Sequence, residues 1–213
     1  MQIKLQQVVP VFIEEEKVAG SGLWKTDQVF NPGERLQIVA PSGSGKTSLI
    51  HFLYGMRKDY SGGIVYNNEN ISSFDAEQFS TFRQKHISIV FQDLRLFTQQ
   101  TVFQNLEIKR LLDPYHAGSR IEDMAQRLGI HNKLNKLSKT CSYGEQQRIA
   151  IIRSLQQPFD FLLLDEPFSH LDDNNRKKAM DLMEEEATER GATIILADLK
   201  ATDLFKSTRT LNL

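Results

Sequence analysis

The segment Ala40-Pro41-Ser42-Gly43-Ser44-Gly45-Lys46-Thr47 constrains this chain more than any other. It stands between an apolar run, GERLQIVA (33–40), and a stretch with apolar residues at helical spacing, TSLIHFLYG (47–55). Strand, glycine-rich turn, then helix is the setting of a phosphate-binding loop. The glycines let successive N–H groups turn onto an anion without Cβ obstruction, and a helix starting near Lys46 adds the positive end of its dipole. Lys46 is expected to bridge the β- and γ-phosphates of a nucleotide and Thr47 to offer its hydroxyl to Mg²⁺. Ser42, Gly43, Ser44, Gly45 and Ser48 complete the expected anion site. A glycine usually opens this pattern; here Ala40 does, at the strand end and outside the anion nest, where one methyl is tolerated.

A second apolar run, FDFLLLDEP (159–167), ends in Asp165 and Glu166. A continuous apolar strand is one covered on both faces, and parallel α/β sheets bind ligands at the carboxyl ends of such strands. Asp165 fits a carboxylate that holds Mg²⁺. Glu166 fits a base that polarises water for attack on the γ-phosphate.

The rest of the chain alternates strand-like and helix-like segments, which implies an α/β fold with a mainly parallel sheet. Short β-like runs, IKLQQVV and PVFI, come first, so the N-terminal portion reads as β-rich. From about 94 to 157 strand signals vanish and VFQNLEIKRLL, SRIEDMAQRLGI and residues 144–157 read as helices. We therefore expect one domain over 1–213, with an α/β core (1–92 and 158–213) and an inserted helical subdomain (93–157). A helix over 173–190 and a final β-like segment, STRTLNL, close the chain. The acidic triplets Glu14–Glu16 and Glu184–Glu186 read as solvated faces.

Composition narrows the function classes. The 26 basic and 27 acidic residues of the 213-residue chain leave a net charge of −1, so no global basic field draws nucleic acid. No stretch approaches the roughly 18 apolar residues that span a bilayer. The first residues, MQIKLQQVVPVFIEEE, lack the features of a secretory signal, and a single cysteine, Cys141, excludes an internal disulfide framework. The expectation is a cytoplasmic protein.

Cys141-Ser142-Tyr143-Gly144-Glu145-Gln146-Gln147-Arg148 resembles the signature motif of ABC-type ATPases, usually written LSGGQ followed by polar residues and arginine. Ser142, Gly144, Gln147 and Arg148 match; Cys141, Tyr143 and Glu145 replace leucine, the first glycine and glutamine. Ser142 lies before Asp165 at the interval usual in that family. The resemblance covers essentially the whole chain. It implies a P-loop NTPase with a RecA-like core that binds ATP and Mg²⁺. It also implies a head-to-tail homodimer in which the phosphate loop of one copy faces Ser142 and Gly144 of the other. Gln92 resembles the glutamine that senses Mg²⁺ and the attacking water, and Ser169-His170-Leu171-Asp172 resembles the loop that crosses the dimer interface. Phe12 is the first candidate for stacking on adenine and Trp24 the second. FQDLRLFTQQTVFQNL is similar to the branch serving lipoprotein release, macrolide export and cell division.

The resemblance further implies an integral membrane transporter subunit as partner, a peripheral location on the inner face of the cell membrane, and no nucleic acid. The docking cleft is expected near Leu94–Phe97, where apolar residues adjoin Gln92. One family feature is missing. A histidine usually follows the strand after the crossing loop, yet this region reads Ala197-Asp198-Leu199-Lys200, and the last of the five histidines is His170. Asp198 or Leu199 takes its place, so slow hydrolysis is expected. A hydrolysis-impaired nucleotide switch and a soluble non-transport ATPase of the same family stand as alternatives.

Overall fold

The computed structural model describes residues 1–213. The chain runs through β1 (Ile3–Pro10), α1 (Glu15–Ala19), β2 (Asp27–Phe30), β3 (Arg35–Val39), α2 (Lys46–Leu53), β4 (Tyr60–Tyr66), β5 (Glu69–Asn70), α3 (Ala76–Lys85) and β6 (Ile87–Val90). It continues through α4 (Val102–Arg110), α5 (Ser119–Arg127), α6 (Tyr143–Ser154), β7 (Phe161–Asp165), α7 (Asp173–Arg190), β8 (Thr193–Asp198) and β9 (Arg209–Asn212).

Two sheets form, and the sequence explains both. The N-terminal strands pair antiparallel in the order β2-β1-β4-β5. The second sheet, β6-β7-β8-β3-β9, is wholly parallel, as strands alternating with helices require. β7 is buried at every position, and its side chains alternate between two cores. Leu162 and Leu164 face a core of 30 residues shared with α4, α5, α6 and α7. Phe161 and Leu163 face a core of 23 residues shared with the antiparallel sheet and α2. The helices between β6 and β7 thus pack into the same core as one face of the sheet.

Two expectations change. PVFI is not a strand: the chain leaves the sheet after Pro10, which has no N–H to pair, and residues 11–13 turn before α1. The triplet Glu184–Glu186 is not wholly solvated. Glu186 is 0% exposed and meets His116, Arg120 and Arg190. The 3.6-residue turn of α7 points it inward while Glu185 stays at the surface.

Candidate nucleotide site

The phosphate loop sits where β3 ends and α2 begins. Gly43 and Gly45 take φ of 80° and 98°, left-handed values that side chains resist. A Cβ on Gly45 would also come within 3.0 Å of the Trp24 ring. Trp24 is buried beneath the loop and donates from Nε1 to the Ser44 carbonyl at 3.2 Å. It supports the loop and offers no face to adenine, so the second stacking candidate is excluded. Ala40 is buried at the strand end with its N–H bonded to the Asp198 carbonyl, and its methyl is accommodated.

The structure brings Lys46, Thr47, Gln92, Asp165 and Glu166 together. Lys46 Nζ donates to the carbonyls of Ala40 (2.9 Å) and Pro41 (3.1 Å) and lies 3.6 Å from Glu166 Oε1. Thr47 Oγ1 lies 3.2 Å from Asp165 Oδ1 and 3.5 Å from Gln92 Oε1. Gln92 Nε2 is 3.5 Å from Glu166 Oε2. Most of these contacts are longer than ordinary hydrogen bonds. Asp165 is 0% exposed, yet its Oδ2 has no partner. Burial raises the Asp165 carboxyl to about 6, with the Glu166 charge adding to the shift and the Thr47 hydroxyl opposing it. A buried carboxylate oxygen without a donor, beside a hydroxyl and an amide oxygen, fits a small hard cation such as Mg²⁺.

Glu166 follows the last residue of β7 with φ of 46°, uncommon for a residue with a side chain, while its N–H bonds the Ala197 carbonyl. Such conformations persist where the surroundings enforce them, and they concentrate at functional sites.

Phe12, Ser42, Gly43, Gly45, Lys46 and Thr47 line one cavity of about 220 Å³, which Gln92 and Glu166 close. Phe12 is half exposed there, with the Arg57 guanidinium 4.6 Å from its ring centroid. Ser48 lines this cavity too, its Oγ accepting from Arg57, whereas Ser44 is turned away, its Oγ donating to the Pro41 carbonyl. Ser142 and Gly144 lie outside this cavity. Ser142 caps α6, its hydroxyl accepting from the Glu145 N–H while Glu145 accepts from the Ser142 N–H. Gly144 must be small, because a Cβ would come within 2.9 Å of the His170 carbonyl.

In place of the missing histidine, Asp198 and Leu199 both line a second cavity of about 430 Å³ beside Glu166. The Asp198 carboxylate accepts the Leu199 N–H at 2.7 Å; burial, with the Glu166 charge, raises it above its usual range.

The fold and this arrangement of loop, carboxylates and glutamine define a P-loop nucleotide-binding protein. Comparison with known proteins identifies the family. Residues 25–169 match the model of the ABC transporter family. The chain is 35% identical over 173 residues to the macrolide export ATP-binding/permease protein MacB of Nitrosomonas europaea, covering 80% of this chain and 26% of that protein. It is 31% identical over 173 residues to the lipoprotein-releasing system ATP-binding protein LolD of Syntrophotalea carbinolica, covering 80% of this chain and 76% of that one. The fold superposes on the dimeric ABC transporter cassette MJ0796 with a TM-score of 0.85, at 24% identity over 99% of this chain and 94% of that one. The chain belongs to the ABC transporter family, and within it is an ATP-binding cassette, the ATPase class of that family. The branch expected from the sequence agrees with these relatives.

Proposed function

We propose that this chain hydrolyses Mg²⁺-ATP as one half of a head-to-tail homodimer and thereby drives a separate membrane-embedded transporter subunit. The observation that carries this reading is the convergence of Lys46, Thr47, Gln92, Asp165 and Glu166 around a buried carboxylate oxygen that nothing in the protein pairs. The loop N–H groups and Lys46, released from the Ala40 and Pro41 carbonyls, would hold the phosphates. Thr47, Asp165 and Gln92 would hold the cation, which when bound neutralises phosphate charge. Glu166 Oε2 would take the proton of the attacking water, and Gln92 Nε2 would orient that water. Phe12 would stack on the base. Exposed Ser142 and partly buried Gly144, both outside the cavity, would complete the site of the second copy.

No helix is long and apolar enough to cross a membrane. The membrane component is assigned to the partner, with this chain peripheral on the cytoplasmic face. The docking cleft is a groove of about 240 Å³ lined by Phe91, Phe97, Ile108 and Leu112 with Arg95 and Lys109. Phe97 is exposed at its rim, whereas Leu94 is 3% exposed in the core and Leu96 packs against that core, so Phe97 carries the expected contact and the two leucines do not. Burial lowers Lys109 to about 8, with Arg153 and Arg83 adding to the shift. Apolar walls beside Lys109, which has no acidic partner, and Arg95, held by Asp93, suit an apolar segment bearing an acidic residue. We retain residues 93–157 as a helical subdomain, packed on the core it shares with β7.

Glu166→Gln tests the reading. The amide keeps the shape and removes the base, so the variant should still bind ATP and should sediment as a dimer with Mg²⁺-ATP. A variant that stays monomeric at high protein concentration contradicts the shared site.

A further inference from the structure

Helix α6 reaches back to one loop from both of its ends. At its start, Tyr143 Oη donates to the main-chain carbonyl of Gln92 at 3.3 Å. Near its finish, Arg153 donates from Nη1 to the Arg95 carbonyl and from Nη2 to the Leu94 carbonyl, each at 2.6 Å. The loop so held is strained. Leu94 and Arg95 have φ of 58° and 47°, two successive left-handed residues that are not glycine. Such a pair persists only where its surroundings enforce it. The forked guanidinium does so, gripping the carbonyls of both strained residues. Burial lowers Arg153 to about 10, so it stays charged at neutral pH.

Tyr143 stands where the family signature has its first glycine, and a glycine could make no such contact. Its ring also packs 4.2 Å from that of His170, centroid to centroid. Gln147, one turn on, donates to the Glu166 carbonyl at 3.4 Å and accepts the His170 N–H at 3.1 Å. One helix therefore touches both loops that carry the proposed catalytic side chains.

We propose that Tyr143 and Arg153 are positioning residues: as a two-point clamp on residues 92–95 they hold Gln92 within reach of Thr47, Asp165 and Glu166. The role of Gln92 rests on the proposed function; the clamp itself does not. Arg95 and Arg153 also line the groove assigned to the partner. A segment seated there would act on Gln92 through the same guanidinium.

Hydrogen exchange of the peptide spanning residues 91–97, measured on the full chain, tests the clamp directly. Tyr143→Phe keeps the ring on His170 and removes only the hydroxyl. Exchange in this segment should accelerate by about threefold to tenfold, the worth of one hydrogen bond. The Mg²⁺ concentration for half-maximal ATP turnover should rise by a similar factor, while ATP affinity in EDTA stays within about twofold. Arg153→Lys keeps the charge without the fork and should act in the same direction, more strongly. If it fails to fold, the exposed Tyr143 variant still decides. Unchanged exchange at 91–97, or acceleration shared equally with residues 1–90, overturns the clamp. A wild-type chain that binds no ATP would end the proposed function and leave the exchange comparison to decide the clamp.

Discussion

Strand β7 has a cluster of charged side chains at each end, and the two are built on opposite terms. Near its start, Glu186 is 0% exposed and both carboxylate oxygens are paired. Arg190 Nη1 and His116 Nε2 lie 2.6 Å from Oε2, and Arg120 Nη2 lies 2.7 Å from Oε1. The Arg190 guanidinium stacks 3.7 Å from the Tyr115 ring centroid and 4.5 Å from that of Phe159. At its finish, Asp165 is equally buried, yet Oδ2 has no partner, and Glu166 meets Lys46 and Gln92 only at 3.6 and 3.5 Å. Buried polar groups are costly unless paired. The first cluster pairs both oxygens of its carboxylate, leaving only Arg190 Nε without a partner, and joins α7 to α5 and the loop before it. The second leaves pairing to a ligand.

The largest effect should come from breaking the paired cluster. Glu186→Ala leaves two arginines without their buried partner and should cost about 3–5 kcal/mol in urea unfolding, with ATP affinity of the folded protein unchanged. The cluster also predicts acid sensitivity. Burial alone would raise the Glu186 pKa, but hydrogen bonds from His116, Arg120 and Arg190 outweigh it and hold the group below 4.5. Arg127, then Arg120, hold Glu185 at about 2. Groups depressed in the folded state stabilise it above their unfolded values and lose that contribution as pH falls. Stability should therefore decline from about pH 4.5 toward 2, less steeply in Glu186→Ala. A loss under about 1 kcal/mol at neutral pH would contradict the pairing.

The opposite result is expected at the other end. Asp165→Asn removes a buried charge that stands beside Glu166. It should leave stability unchanged or raise it by about 1–2 kcal/mol, while Mg²⁺-dependent turnover is lost. A destabilised variant would mean that Asp165 serves the fold as Glu186 does.

The smallest effect concerns the absent histidine. Leu199 supplies no side-chain donor beside Glu166, and the Asp198 carboxylate accepts the Leu199 N–H there. Asp198→His or Leu199→His should raise steady-state phosphate release by about tenfold or more, measured with the membrane partner present. If neither is faster than a wild type already turning over at roughly 1–10³ per second, the slow-turnover reading fails.

What the sequence disclosed follows the range of its signals. α7 spans Asp173–Arg190, as expected, because both ends are punctuated locally: Asp172 accepts the Asn175 N–H and Gly191 adopts φ of 62°. The phosphate loop was legible because strand, loop and helix are contiguous, and Asp165 and Glu166 because an apolar strand points at them. Gln92, Ser142 and Gly144 came only through the family resemblance. The Glu186 cluster was misread because Arg120 and His116 lie 66 and 70 residues away in sequence, and helical periodicity alone names no partner. Tyr143 registered only as a departure from glycine, since its bond to the Gln92 carbonyl crosses 51 residues. Trp24, an aromatic beside a nucleotide loop, suggested stacking on a base; only the fold shows it beneath Ser44.

The central claim is that the unpaired end of β7 is a Mg²⁺-ATP site. Calorimetry of ATP binding to the wild type and to Lys46→Ala, each with Mg²⁺ and with EDTA, tests it most directly. Lys46 is the one side-chain cation in the loop; it donates to carbonyls that phosphates would replace and lies 3.6 Å from Glu166 Oε1. The account predicts saturable binding by the wild type, tighter with Mg²⁺, and affinity lowered by about 100-fold or more in Lys46→Ala. Equal affinity in the two proteins, or wild-type binding indifferent to Mg²⁺, would contradict it.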